Sequence, residues 1–245
     1  RQATYTDLWG SRSTKYQRLL ENFNLKKDWR NMAPKSPFFL FTPVNSSAVD
    51  EYASGWLITD IFPIGSNGVQ TSRDSLVVAP SREEITSRFS WIRDVEVGTS
   101  EIHLEHGTED KSFWSLEKAR KVLRLDPDWA RHISEYAYRP FDNNWLFASP
   151  DFVHRLRQNV MKHMRRPNLA ICVGRAGLVV GGQWNLVFVT KNICDHNFFY
   201  RGSSINSPMY LYDTPDSLFV EPELDTERRS SNLNQVFLIE LARML

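Results

Sequence analysis

The chain has 245 residues, 41% hydrophobic and 13% aromatic, with a formal charge of +1. That composition suits one large domain or two subdomains and excludes a disordered chain, and no apolar run approaches the ~20 residues of a bilayer span. Cys172 and Cys194 lie far apart with no metal-type partner spacing, which excludes a disulfide framework or zinc knuckle and leaves both to pack as small apolar side chains.

In chain order, Tyr16, Leu19, Leu20 and Phe23 have helical spacing, and Pro34 and Pro37 stop any continuation. Short apolar or β-branched runs at 38–42, 56–62 and 75–78, bounded by Pro, Gly, Asn and Ser, predict strands. Ser66-Asn67-Gly68 is the strongest turn signal among them. Ser81 with Glu84 three residues on is a capping box, which predicts a helix through Phe89. The acidic, weakly patterned stretch 94–110 reads as the internal boundary, dividing the chain into 1–110 and 111–245 unless the two are one continuous domain. Ser115 then opens a helical run through Leu116, Ala119, Val122 and Leu123, and Asp126-Pro127 predicts the start of a second helix.

Residues 138–164 read YRPFDNNWLFASPDFVHRLRQNVMKHM, an aromatic turn feeding a basic amphipathic pattern. Val153, Leu156, Val160 and Met164 form one stripe; Arg155, Gln158, Lys162, Arg165 and Arg166 fall opposite, predicting a helix with one packed and one cationic face. From Phe152 to Cys194 there is no acidic residue, so Arg155, Arg157, Lys162, Arg165, Arg166, Arg175 and Lys191 have no local counter-charge. A solvated basic face is the plain reading of such a helix, and a phosphate-binding surface is the functional one. In YRPFD, an Arg139–Asp142 contact across the turn is expected as a brace, with Phe141 and Trp145 in the core. Runs at 169–173, 177–180 and 184–189 predict strands around a Gly181-Gly182 hairpin, and a helix is predicted after Asn232. The result is an α+β fold with short, mainly antiparallel strands.

These blocks carry a resemblance. YRPFD-x-x-W followed by H-R-x-R-x-x-V-M-x-H-M is similar to the C-terminal specificity region of type ISP restriction-modification enzymes. So are Tyr5, the run Leu8-Trp9-Gly10-Ser11-Arg12, Lys15-Tyr16, Trp29, Pro34, Pro37 and Phe41. Gly68-Val69-Gln70-Thr71-Ser72-Arg73-Asp74 resembles the G-[IV]-x-T-x-x-D turn where such regions begin their DNA-reading part, and Phe188-Val189-Thr190 and Pro208-Met209-Tyr210-Leu211-Tyr212 also fit. Asn144 departs from the family, which often has arginine there.

The resemblance implies a target-recognition domain that reads duplex DNA for an N6-adenine methyltransferase and translocating nuclease. Those partners would lie elsewhere in the same parent chain, because no N-P-P-Y loop or G-x-x-x-x-G-K-[ST] phosphate loop occurs here. S-adenosylmethionine, ATP and Mg are expected for the parent, no cofactor and no catalytic or metal-binding residue for this chain. The candidate DNA-binding residues are Asn67, Gln70, Thr71, Arg73, Arg155, Arg157, Gln158, Lys162, Arg165, Arg166 and Arg175, the polar turn offering bidentate contacts to base edges. A start without methionine and an end within the apolar run Val236, Phe237, Leu238, Leu241 and Leu245 suggest a piece of a longer protein. With no leader sequence before Tyr5, a cytoplasmic address and no membrane partner are expected. Two other readings stand beside this one: a metal-dependent nuclease or hydrolase whose carboxylates, such as Asp142 or Asp151, converge only in the fold, and an interaction scaffold that barely touches DNA.

Overall fold

The structure is a computed structural model, and it describes residues 3–21, 29–36, 39–43, 49–174, 186–199, 203–213 and 229–244. It divides into two compact units between Leu57 and Ile58. In the first, β1 (Ala3–Tyr5) pairs antiparallel with β2 (Arg30–Met32). Helix α1 (Arg12–Leu20) starts at Ser11, whose hydroxyl accepts from Thr14 N, and a short α2 spans Val49–Ala53. The strand expected at 38–42 is absent from 39–42, because Phe39 has a positive φ of 46°.

The second unit opens with α3 (Ile58–Ile61), where a strand was expected. A short apolar run satisfies either period, and Asp60 in the first turn with Pro63 just beyond suits one helical turn. After β3 (Ser66–Asn67), the run expected as a strand at 75–78 is α4 (Asp74–Val77), and only Val78–Ala79 is strand, β4. Helix α5 (Arg82–Arg93) begins as the capping box predicts, with Ser81 Oγ accepting from Glu84 N at 3.1 Å. The acidic stretch is no boundary: it holds α6 (Thr99–His106), whose Ile102 is fully buried in the main core.

Helix α7 (Leu116–Leu125) follows, but the second helix of the expected pair is only a 3-10 turn, Trp129–His132. Strand β5 (Ile133–Arg139) turns at Pro140-Phe141 into β6 (Asp142–Phe147), with a register shift between Ala137 and Arg139. A one-turn helix α8 (Gln158–Met161) precedes β7 (Ala170–Val173), β8 (Val187–Thr190) and β9 (Ile193–Cys194). The unit ends with β10 (Ile205–Pro208), β11 (Tyr210–Tyr212), β12 (Arg229–Ser231) and α9 (Gln235–Met244). Gly177–Val180 and the Gly181-Gly182 turn lie outside the described residues.

Two four-stranded sheets result, in the orders β4-β6-β5-β9 and β3-β10-β7-β8, with β11 and β12 as a separate antiparallel pair. All described pairings are antiparallel except β5 with β9 and the single bridge of Val69 to Asp195. The α+β expectation therefore holds. The main core lies on the first sheet, where Phe89 of α5 stacks on Phe147 of β6 and Phe152 meets both rings edge-on. Arg120 is buried at the end of α5, donating to the carbonyls of Ile92, Asp94 and Val97, so its charge answers helix-end and loop acceptors. Asn232 closes the unit: its amide donates to Ile64 O and Pro208 O and accepts from Ile64 N.

Candidate nucleic-acid interface

The polar turn at 66–74 leaves β3 and crosses from one sheet to the other. Val69 N donates to Cys194 O at 2.8 Å, and His196 N donates to Val69 O at 2.8 Å. Only glycine fits at 68, because a Cβ there would stand 2.3 Å from Asp195 O and 2.7 Å from Cys194 O. One residue further, Gln70 and Arg155 exchange both backbone hydrogen bonds at 3.0 Å, and His154 N donates to Thr71 O at 3.3 Å. The two segments singled out in the sequence, some eighty positions apart, thus form one continuous surface.

Around this junction the side chains divide into braces and exposed groups. Thr71 is buried and its hydroxyl donates to Asp74, whose other oxygen accepts from Tyr138 OH at 2.9 Å. Arg73 is also buried. Its Nε and one terminal nitrogen both donate to Phe152 O, at 3.1 and 2.9 Å, and its guanidinium lies 3.9 Å over the Trp114 ring. Burial pushes the Arg73 pKa down to about 10, so the group keeps its charge at neutral pH while facing inward. As placed, Arg73 holds the turn to the 151–155 segment instead of offering its fork to a base. Asn67 and Gln70 are half-buried, and Ser72, with φ 61°, and Arg155 are exposed.

The basic segment is not the helix its spacing predicts. Val153, Leu156, Val160 and Met164 are all buried, as the stripe requires, yet only α8 and a 3-10 turn at Lys162–Arg165 are helical. Arg155 is engaged as a bridge, and Arg157 takes a left-handed conformation with φ 56°, so the helix starts only at Gln158, with the Arg157 carbonyl as its first acceptor. Arg157, Gln158, Lys162, Arg165 and Arg166 are half-buried, and Arg165 donates to Arg131 O at 2.7 Å. A shallow groove brings Arg166 and Lys191 together with Glu135 and Tyr210. Arg175 lies outside the described residues.

The YRPFD turn also differs from expectation. Arg139 pairs not with Asp142 but with Asp195, at 2.9 Å, and Asp195 accepts from Tyr136 OH and Asn197 N as well. Burial raises the Asp195 carboxyl, opposed by these donors and by the arginine. Phe141 is not core: with φ 64° it sits at the hairpin tip, 91% exposed, meeting Phe188 edge-on. The Tyr138–Asp74 and Arg139–Asp195 links, joining positions 64 and 56 apart, have no signal in sequence spacing. A further tip, 111–114, packs beside the junction, with Trp114 Nε1 donating to Asp151 O at 2.6 Å. Cys172 and Cys194 are buried free thiols with sulfurs 3.7 Å apart.

No curated protein matches the chain. Among the solved structures that share its fold are three DNA complexes. The ATP-dependent Type ISP restriction-modification enzyme LlaBIII bound to DNA aligns with TM-score 0.59 and 18% identity, over 98% of this chain and 16% of that one. A nuclease-deletion mutant of the Type ISP enzyme LlaGI, in complex with a DNA substrate mimic, aligns with TM-score 0.53 and 18% identity, over 91% of this chain and 22% of that one. A DrdV–DNA complex aligns with TM-score 0.56 and 14% identity, over 95% of this chain and 23% of that one. The chain therefore spans less than a quarter of each of these proteins. The Type ISP C-terminal specificity domain matches residues 60–244, which takes in the whole junction of turn and basic segment, and the chain belongs to that family.

Proposed function

We propose that this chain is the target-recognition module of a Type ISP restriction-modification enzyme and reads duplex DNA with the surface made by the 66–74 turn and the 154–166 segment. The observation that carries this is the backbone pairing of Gln70 with Arg155, which sets polar side chains of the turn beside a stretch rich in cations and free of acids. Cations of that stretch, Arg155, Lys162, Arg165 and Arg166, neutralise phosphates and fix register; Gln70, Asn67 and neighbouring loop residues discriminate bases, each good bidentate contact contributing about 1–3 kcal/mol. Arg73 and Thr71 hold the turn in place. Adenine methylation, cleavage, S-adenosylmethionine, ATP and Mg belong on this reading to other parts of a cytoplasmic bacterial parent active in phage defence, with the methyltransferase domain of the same chain as partner. Among the described residues no group of three or more His, Cys, Asp or Glu side chains is placed to hold a metal ion. No helix among them is long and apolar enough to cross a membrane.

Selection from a randomised duplex pool by this chain, at two salt concentrations, tests the proposal by separating phosphate from base contributions. An enriched asymmetric motif is expected. Salt-sensitive binding without a motif would leave base reading to the rest of the parent, and no binding at either salt would favour the scaffold reading. Charge reversal at Arg155, Lys162 and Arg166 should weaken all duplexes together and flatten the salt dependence; unchanged affinity would remove this segment from the interface.

A further inference from the structure

Beside the junction stands a hairpin tip that carries one ring inward and one outward. Lys111 and Trp114 exchange backbone hydrogen bonds, at 2.9 and 3.1 Å, leaving Ser112 and Phe113 at the apex. The tip is tightly held: Trp114 donates its indole N–H to Asp151 O and lies under the Arg73 guanidinium, which itself donates to Phe152 O. Yet Phe113 is 65% exposed, and its ring meets His154, half-buried, at 5.1 Å. His154 is hydrogen-bonded through its backbone to Thr71, and the next residue is the exposed Arg155 bridged to Gln70.

The acids nearest the tip in sequence are occupied. Glu109 pairs with Lys111, and Asp110 accepts from Leu116 N at 2.8 Å and faces His103 at 3.2 Å. What the tip presents outward is an aromatic face beside an imidazole. An exposed aromatic ordered at this expense suits a partner that also offers flat apolar faces next to negative charge, and a base step of duplex DNA has both.

We propose that Phe113 is a wedge: seated against a base step next to the sequence read by the 66–74 turn, it unstacks that step while His154 and Arg155 lie along the adjoining backbone. The inference rests on the DNA-facing reading above and adds to it a deformed duplex and a residue that does the deforming. A step already weakened costs less to open, so the chain should prefer it.

The test uses this chain with a mixed-sequence duplex and the same duplex carrying one central mismatch, 2-aminopurine being placed beside it. The unsubstituted chain should bind the mismatched duplex about tenfold more tightly, the order expected for one aromatic–base stack, with a rise in 2-aminopurine fluorescence. Phe113→Ala should make the two affinities equal and abolish the rise at an unchanged melting temperature, because the ring is exposed, and Phe113→Trp should retain both. Equal affinities in the unsubstituted chain, or a preference that survives Phe113→Ala, would overturn the wedge while leaving DNA binding in place. Failure of either duplex to bind would instead refute the DNA-facing reading and the wedge with it.

Discussion

Arg73 shows how one residue's chemistry depends on where its donors point. A guanidinium in a polar turn beside a basic segment invites assignment to guanine, but two of its nitrogens converge on the Phe152 carbonyl and its face covers Trp114. Replacing it with alanine leaves that carbonyl without its donors at a cost of about 1–3 kcal/mol, to which the lost ring contact adds. Arg73→Ala should lower the urea midpoint as well as DNA affinity, and Arg73→Lys should not restore it, since an ammonium cannot reproduce the fork; lost affinity at an unchanged midpoint would return Arg73 to the interface. Gly68 makes a complementary case. A methyl group there must displace the Asp195 backbone, so Gly68→Ala should destabilise by about 1–3 kcal/mol in thermal unfolding. At Gly98 an added Cβ would meet nothing within 4 Å, and alanine there should be tolerated within about 1 kcal/mol.

At the scale of elements, caps and stripes behave differently. The Ser81–Glu84 box forms as written because both partners lie within one helical turn. Ser115 makes no side-chain cap bond for α7, and Asp110 supplies the acceptor for Leu116 N. That N–H is the largest of the causes that hold the Asp110 carboxyl below its ordinary range, with Ser115 and His103 assisting. A depressed folded value contributes stability that is present above the unfolded pKa and lost as pH falls through the folded one. Asp110→Asn should therefore melt lower than the unsubstituted chain at pH 6, and the difference should shrink as pH is taken below the ordinary carboxylate range. A gap that persists into acid would mean that Asp110 acts through packing alone. The stripe of Val153, Leu156, Val160 and Met164 is buried in full but threaded through a bridge, a left-handed residue and two short helical turns. Burial was legible in the spacing; the path of the backbone was not.

The whole molecule divides at Leu57, and the second unit is closed on itself by Asn232, which ties Ile64 to Pro208, and by Asn234 N donating to Ile61 O at 2.9 Å. A fragment of residues 58–245 should therefore unfold in one cooperative transition by calorimetry. A broad, non-cooperative transition would make the first unit part of the same folding unit.

What the sequence by itself determined is local or compositional. It includes the α+β class, the α1, α5 and α7 helices, most of the β7 and β8 strands, the buried stripe and the family, read from motifs that lie within a few residues of one another. The tertiary structure alone decided that the 66–74 turn meets Arg155, that Arg139 answers Asp195 instead of Asp142, that Phe141 is exposed, and that the apolar run at 58–61 is helical. The physical reason is that a side-chain donor finds whichever acceptor the fold carries to it. Sequence spacing fixes which residues share a helix face or a turn, but long-range pairing depends on how the two sheets are threaded, and no local pattern encodes that.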